Sequence, residues 1–187
     1  MRESDIQKIK AVLLYILDKM PKERCDVYHI VKTAYYAQKY HFVRYALPLF
    51  KDDITALQFG PVPSLIYNAL KVARGQQDAY HFCDKHTLDT LSSAINFKDE
   101  FFSAKEKADM ESLSKSNIEC RDEAILQVKD MAFSELMEAT HDKEWYRAYH
   151  SSNNHTMDNI NIARENGADE STISYLSESL EIDQMIN

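Results

Sequence analysis

Thr140-His141, followed by Trp145 and Tyr146 in SELMEATHDKEWYRAY, puts a hydroxyl, an imidazole and two large rings in one short stretch. An imidazole of this kind can serve as a general base, and a Trp/Tyr cluster can anchor a partner. The same residues can equally hold a short helix in place, and binding is favoured over catalysis. His81, Cys83 and His86 are three soft-metal ligands within six residues. A structural zinc site draws four ligands, usually from two paired clusters, and no second pair stands elsewhere, so the stretch reads as a loop without metal. Cys25 and His29, at i and i+4, have the spacing of a thiol–imidazole pair. A thiol beside a helix start is more often a small core residue. Glycine occurs only at 60, 75 and 167, too sparsely for a phosphate-cradling loop, and HExxH, GxSxG and CxxC are all missing. The expectation is a protein without catalytic apparatus, cofactor or metal.

A second group of candidates is aromatic. Tyr35, Tyr36, Tyr40, Phe42, Tyr45 and Phe50 lie beside Lys32, Lys39 and Arg44. Rings interleaved with cations can stack on single-stranded nucleic acid, but rings at this density more often fill a core. Tyr36 and Tyr40 fall off the apolar stripe and are the two expected at the surface.

The elements that must position these groups are mostly helices. Ile6, Ile9, Val12, Leu13, Ile16, Leu17 and Met20 recur at helical spacing and stop at Pro21. Asp26 is a suitable N-cap for a second helix to about Tyr40. Leu47-Pro48-Leu49-Phe50 and Ile54–Phe59, joined by Lys51-Asp52-Asp53, read as the two strands of a hairpin. In FGPVP, Gly60 permits a sharp turn, the prolines hold Gly60 and Val62 extended, and Pro63 suits the first turn of a third helix to Gly75. Residues 76–116 lack a clean period and read as loops and short helices. Ser116 to Glu119 fits a capping box, Ser134 a helix cap, and two helices follow the SSNNH break. The fold class is therefore mainly α, a compact helical domain with one small β-hairpin and C-terminal helices after it.

The net charge of −8 is unevenly spread. Residues 1–75 carry 12 Lys and Arg against 7 Asp and Glu, whereas residues 76–187 carry 10 against 23. The acidic part disfavours nucleic acid and suits a basic protein partner. Three widely spaced cysteines fit a reducing cytoplasm, and no stretch is long and apolar enough to span a membrane.

KTAYYAQKYHFVRYALPLFKDDITALQFGPVPSLIYNALK resembles the Panacea domain, the SocA-type antitoxin domain of bacteria and phages. The residues that carry the resemblance are Lys32, Tyr35 and Ala37, then Pro48-Leu49-Phe50, Asp53, Ala56, Phe59-Gly60-Pro61-Val62, Pro63 and Tyr67. The family's second signature is matched by Leu136, Thr140, His141 and Trp145, with Glu144 where many members have a proline. The resemblance implies a non-enzymatic antitoxin over residues 1–150 that neutralises a cognate toxin encoded nearby by direct contact. One branch of the family instead hands its toxin to a cellular protease. Residues 151–187 are read as a helical extension that packs on the domain or on a partner. Tyr36, Tyr40, Phe59, Tyr67, Thr140, His141 and Trp145 are the candidate partner-binding residues. Lys32, Tyr35, Pro48, Leu49, Phe50, Asp53, Gly60, Pro61, Val62, Pro63 and Leu136 are the motif residues with an architectural part. An alternative is a nucleic-acid-binding regulator, because the basic N-terminal half, in the order helix–helix–hairpin–helix, resembles a winged helix. Oligomeric state stays open.

Overall fold

Helix α1 (Glu3–Lys19) buries the expected stripe from Ile6 to Leu17, and α2 (Val27–Tyr45) follows a short 3-10 turn at Lys22–Arg24. The computed structural model describes residues 1–81, 83–152 and 154–186, the side chains at 184 and 186 excepted. Asp26 caps α2 as the sequence predicts: its carboxylate accepts the His29 N–H at 3.0 Å and meets the His29 Nδ1 at 2.6 Å. Burial pushes the Asp26 carboxyl up, but the His29 side chain and N–H together hold it below its ordinary range. The helix runs past Tyr40 and stops at Ala46, which takes a left-handed conformation. From His29 to Lys39 every residue of α2 is buried, so it is the central helix of the fold. Polar residues survive inside it because they find partners. The Thr33 hydroxyl donates to the His29 carbonyl at 2.8 Å, and His41 meets the Leu47 carbonyl and the Asn117 amide.

The hairpin differs from the expectation. Leu47–Phe50 is not a strand, although Leu49 and Phe50 are fully buried. The Gln38 side chain takes the place of a pairing strand. Its Oε1 accepts the N–H groups of Leu49 and Phe50 at 2.9 and 3.2 Å, and its Nε2 donates to the Phe50 carbonyl at 3.1 Å. With those backbone groups satisfied, the segment needs no ladder. The hairpin consists of β1 (Ile54–Leu57) and β2 (Gly60–Pro63), with Gly60 opposite Leu57 and Pro63 opposite Ile54.

Two prolines fit β2 because of this register. The Ala56 N–H points away from β2 and donates to the His155 carbonyl at 2.8 Å, while the Ile54 carbonyl accepts the Met157 N–H at 2.8 Å. The residues facing Ala56 and Ile54 are Pro61 and Pro63, so their missing N–H groups cost no ladder bond. Pro63 is the last strand residue and the N-cap of α3 (Ser64–Ala73), not a member of its first turn.

Asp52 prepares that turn. Its carboxylate accepts the Leu65 N–H at 2.9 Å and the Ile66 N–H at 3.4 Å, two donors that a helix start leaves free. Asp52→Ala is expected to cost about 1–2 kcal/mol, read by equilibrium denaturation, as loss of a capping carboxylate generally does.

Residues 76–116 hold more regular structure than their sequence suggests. Asp84 caps α4 (Lys85–Ser93), and a second antiparallel hairpin pairs β3 (Ile95–Lys98) with β4 (Phe101–Ala104). The capping box of helix α5 (Lys115–Val128) starts at Ser114, two residues before the expected one. Ser114 Oγ accepts the Asn117 N–H, and the Asn117 side chain accepts the Ser114 N–H, both at 3.2 Å. Helix α6 (Phe133–Thr140) begins before Ser134, with the Glu135 carboxylate accepting the Ala132 N–H at 2.6 Å. Then come α7 (Lys143–Tyr149), α8 (Asn159–Glu165) and α9 (Glu170–Ile186).

The protein is thus mainly α with small hairpins. Helix α5 lies along α2, and α8 also packs on α2. Met157, Ile162, Ala163, Ile173 and Leu176, all beyond residue 150, are buried in the same apolar cluster as α1 and α2. Among the described residues, no helix is long and apolar enough to cross a membrane.

Candidate functional site

One face of α2 presents Tyr28, Lys32, Tyr35, Tyr36 and Lys39, which helical spacing brings into line. Two other pieces of chain close over this face: the turn at Gly60 and the turn between α6 and α7. Together they form a polar seam inside the protein.

The α6–α7 turn explains the Thr-His-Asp order. Thr140 is buried, and its hydroxyl donates to the Leu136 carbonyl at 2.7 Å. His141 ends α6, its N–H donating to the Met137 carbonyl at 3.1 Å. Asp142 starts α7 by accepting the Trp145 N–H at 2.8 Å. The Trp145 ring stacks on His141 at 3.6 Å between centroids and 2° between planes, and on Tyr149 at 4.9 Å. Its indole N–H donates to the Leu57 carbonyl at 2.9 Å, tying α7 to β1. Leu136, fully buried, holds α6 down on the other side.

Lys32 is fully buried, and its Nζ donates to the Pro61 carbonyl at 2.9 Å and sits 5.2 Å from the Tyr28 ring centre. Among the described residues, no carboxylate bonds it. Burial pulls its ammonium down to about 7. Lys39, also buried, lies 4.2 Å from the Tyr36 ring centre, and burial lowers it to about 8 against the opposing field of Asp142. Tyr35 is buried with its hydroxyl unpaired, close to the Asp142 carboxylate without completing a hydrogen bond. Burial, with the Asp142 charge behind it, holds that phenol well above its ordinary range. The His141 Nε2 is likewise buried and unpaired, and burial and the Lys32 charge lower its imidazole, against Asp142.

Gly60 is where the pieces meet. At φ +97°, a Cβ would run into the Lys32 Nζ and lie 2.7 Å from the Thr140 Oγ1 and 3.4 Å from the His141 Cδ2. Lysine, threonine and histidine therefore approach the backbone at the one point where no side chain stands.

The seam opens onto an exposed aromatic patch. Phe59 and Phe133 are 50% and 46% exposed, 5.5 Å apart between ring centres. Tyr28 packs against Phe133 with ring centres 4.3 Å apart and planes tilted by 35°, and its hydroxyl donates to the Phe59 carbonyl at 3.2 Å.

Of the residues singled out from sequence, Lys32, Tyr35, Tyr36, Gly60, Pro61, Thr140, His141 and Trp145 come together at the seam, with Phe59 at its rim. Two expectations of exposure are corrected. Tyr36 is 4% exposed and Tyr40 half-buried, because α2 is covered on more than its apolar stripe. Tyr67 lies elsewhere, lining a cavity of about 1060 Å³ with Asp52, Asn68, Lys71 and Asp183; none of the seam residues lines it. Leu49, Phe50, Val62 and Pro63 are buried, Pro48 is half-buried and Asp53 is exposed. Sequence reading passed over Tyr28 and Phe133. Tyr28 could have been found from its position one turn before Lys32.

Cys25 points its thiol at the carbonyls of Leu17, Met20 and Pro21, and burial pushes it up to about 11, as befits a core thiol. Cys83 accepts from the Asn68 amide at 3.5 Å, and His86 meets Glu3 at 3.1 Å. Among the described residues, no three His, Cys, Asp or Glu side chains are grouped to hold a metal.

A helical domain in which Lys32, Tyr35, Thr140 and His141 converge on one internal seam defines a scaffold class before it defines an activity. The family model for the antitoxin SocA-like, Panacea domain matches residues 30–146, more than half of the chain. The chain belongs to this family of SocA-like antitoxins. No curated protein and no solved structure matches it.

Proposed function

We propose that the protein is an antitoxin that neutralises a cognate toxin by direct contact, docking it on the patch of Tyr28, Phe59 and Phe133 above the seam. The observation that carries the reading is the exposure of Phe59 and Phe133, two large rings in contact with each other beside the family's own motif residues. Paired exposed aromatics are the usual anchors of a protein interface, whereas scattered ones are not. The acidic second half favours encounter with a basic toxin. Stacking of nucleic-acid bases on this face of α2 is disfavoured, because Lys32, Tyr35, Tyr36 and Lys39 are all buried.

The test is co-expression with the neighbouring gene product, scored for growth and for co-purification. Growth that depends on this protein, with a complex recovered, supports docking. Growth with disappearance of the neighbour and no complex supports the protease-adaptor route. A harmless neighbour and no complex counts against both. Phe59→Ala and Phe133→Ala are each expected to weaken toxin binding about 30-fold, the effect of losing a hot-spot ring of ~2 kcal/mol. Their folded stability is expected to change little, because both rings are about half exposed. Unchanged neutralisation in the double variant would place the toxin on another surface.

A further inference from the structure

The cavity of about 1060 Å³ beside Tyr67 has an acidic end. Asp52 and Asp53, just before β1, and Cys83 and Asp84, just before α4, all line it. Burial raises the Cys83 thiol, and the charges of Asp52, Asp53 and Asp84 add to the rise against the Asn68 amide, so the three carboxylates surround one sulfur. The two lysines that line the cavity are engaged with other acids: Lys51 meets Asp183 at 2.6 Å and Lys71 meets Asp78 at 2.8 Å. Asp53 is exposed, and among the described residues its carboxylate has no hydrogen bond or ion pair. Asn68 is a second and separate mark. It is 7% exposed and lines the same cavity; its Nδ2 donates to Cys83 at 3.5 Å, while its Oδ1 has no donor among the described residues. A largely buried amide oxygen calls for a hydrogen-bond donor, and the fold supplies none.

We propose that this cavity binds a small organic cation, an ammonium or guanidinium on a short aliphatic chain, whose N–H groups meet Asp53, Asp84 and the Asn68 Oδ1. The chain provides acceptors in excess, and the ligand brings the donors. A metal ion fits less well: among the described residues no three His, Cys, Asp or Glu side chains are grouped to share one, whereas several N–H groups on one head reach acceptors set further apart. Leu57, Leu65 and Leu180 line the remainder of the cavity and suit an aliphatic tail. Burial, with the Asp53 charge behind it, pushes the Asp52 carboxyl up to about 8 against the N–H groups of Leu65 and Ile66, and a cation beside it returns it towards the ionised form. Neither Phe59 nor Phe133 lines this cavity, and the site does not rest on the antitoxin reading.

The test is the amide chemical-shift response of the isotope-labelled full chain to butylammonium chloride and to butylguanidinium chloride, with butanol and with sodium chloride at matched ionic strength as references. Singly charged probes are used because a polyamine would gather on any protein of net charge −8. The expected result is saturable movement of the Leu65, Asn68 and Thr87 amides with at least one cation, at a dissociation constant of about 1 mM, the strength a ligand of this size reaches. Asp53→Asn combined with Asp84→Asn is expected to weaken binding at least tenfold, and asparagine at 84 still caps α4, so the fold is kept. Asp99→Asn removes a like charge from the β3–β4 turn, outside the cavity, and leaves binding unchanged. Acetyl-arginine methylamide distinguishes the source of the cation: binding at least as tight as that of butylguanidinium assigns the site to an arginine of a protein segment, and weaker binding assigns it to a free small molecule. A response that butanol reproduces, or that follows ionic strength alone, overturns the proposal. So does saturable binding that the double variant retains in full.

Discussion

Gly60→Ala is expected to destabilise the protein by about 3–5 kcal/mol, measured by equilibrium denaturation. Three costs combine. An L-residue at φ +97° is strained by ~1–3 kcal/mol. The added methyl overpacks a filled site, which costs another ~1–3 kcal/mol. To make room, the Lys32 Nζ must leave the Pro61 carbonyl, or Thr140 must leave Leu136, and a charged hydrogen bond is worth ~1.5–3 kcal/mol. These costs overlap, since relief of the clash is what breaks the bond, so they do not simply add. Gly75 is the control. It also has positive φ, at +86°, but a Cβ there meets nothing within 4 Å, so Gly75→Ala should cost only the backbone strain, about 1–2 kcal/mol. In a Lys32→Met background, where the ammonium is gone, Gly60→Ala should cost at least ~1 kcal/mol less, a coupling expected of side chains that compete for one space. Equal costs at positions 60 and 75 would show that the seam is not packed around Gly60.

What the sequence revealed depended on whether each signal was local. The α1 stripe, the Pro21 stop and the Asp26 cap involve residues within one or two turns of each other, and each was readable from spacing. The strand assigned to Leu47–Phe50 failed because the partner that satisfies its backbone is the side chain of Gln38, a turn and a loop away. Alternating apolar residues identify a segment that will be buried, not the group that will bond it. The second hairpin was missed for a related reason. Its turn places Asp99 and Glu100 at φ 51° and 69°, a conformation that asparagine–glycine pairs usually announce and that Asp-Glu does not.

The site was half legible. Its residue types were conspicuous, and Thr140, His141, Trp145 and the Gly60 segment were all singled out, but their convergence was not. Gly60 and Thr140 are 80 positions apart in the chain, and only folding brings the Thr140 Oγ1 against the glycine. The exposure of Tyr36 was misjudged by treating α2 as an amphipathic surface helix. A helix buried on several sides has no polar face to lend its off-stripe residues to solvent. Lys32 and Lys39 were read only as cations beside the rings, and the fold holds both inside.

Glu144→Ala is expected to cost about 2–4 kcal/mol and to loosen the C-terminal segment before the rest of the fold. Glu144 is 1% exposed, and its carboxylate accepts the Asp158 N–H at 2.6 Å, the Asn161 amide at 3.2 Å and the Arg147 guanidinium at 2.5 and 2.7 Å. Its own N–H donates to Glu165 Oε2 at 3.0 Å. Arg147 is half exposed, so that pair contributes little; the main cost is leaving the Asp158 and Asn161 donors without an acceptor, ~1–3 kcal/mol each. Position 144 lies in the first turn of α7, where proline is tolerated. Glu144→Pro should therefore keep α7 and still release residues 155–165. Hydrogen exchange reads this directly, through faster exchange of the Ala56 and Met157 amides that join β1 to the following chain. The pH dependence has a definite sign. Burial raises the Glu144 carboxyl, but Arg147, the Asp158 N–H and Asn161 together hold it below 4.5. Its stabilisation is thus complete above 4.5 and fades as pH falls through the lower folded value. The stability gap between wild type and Glu144→Gln should shrink over that range. A gap that stays constant there would mean that the carboxylate charge plays no part in holding the C-terminal helices.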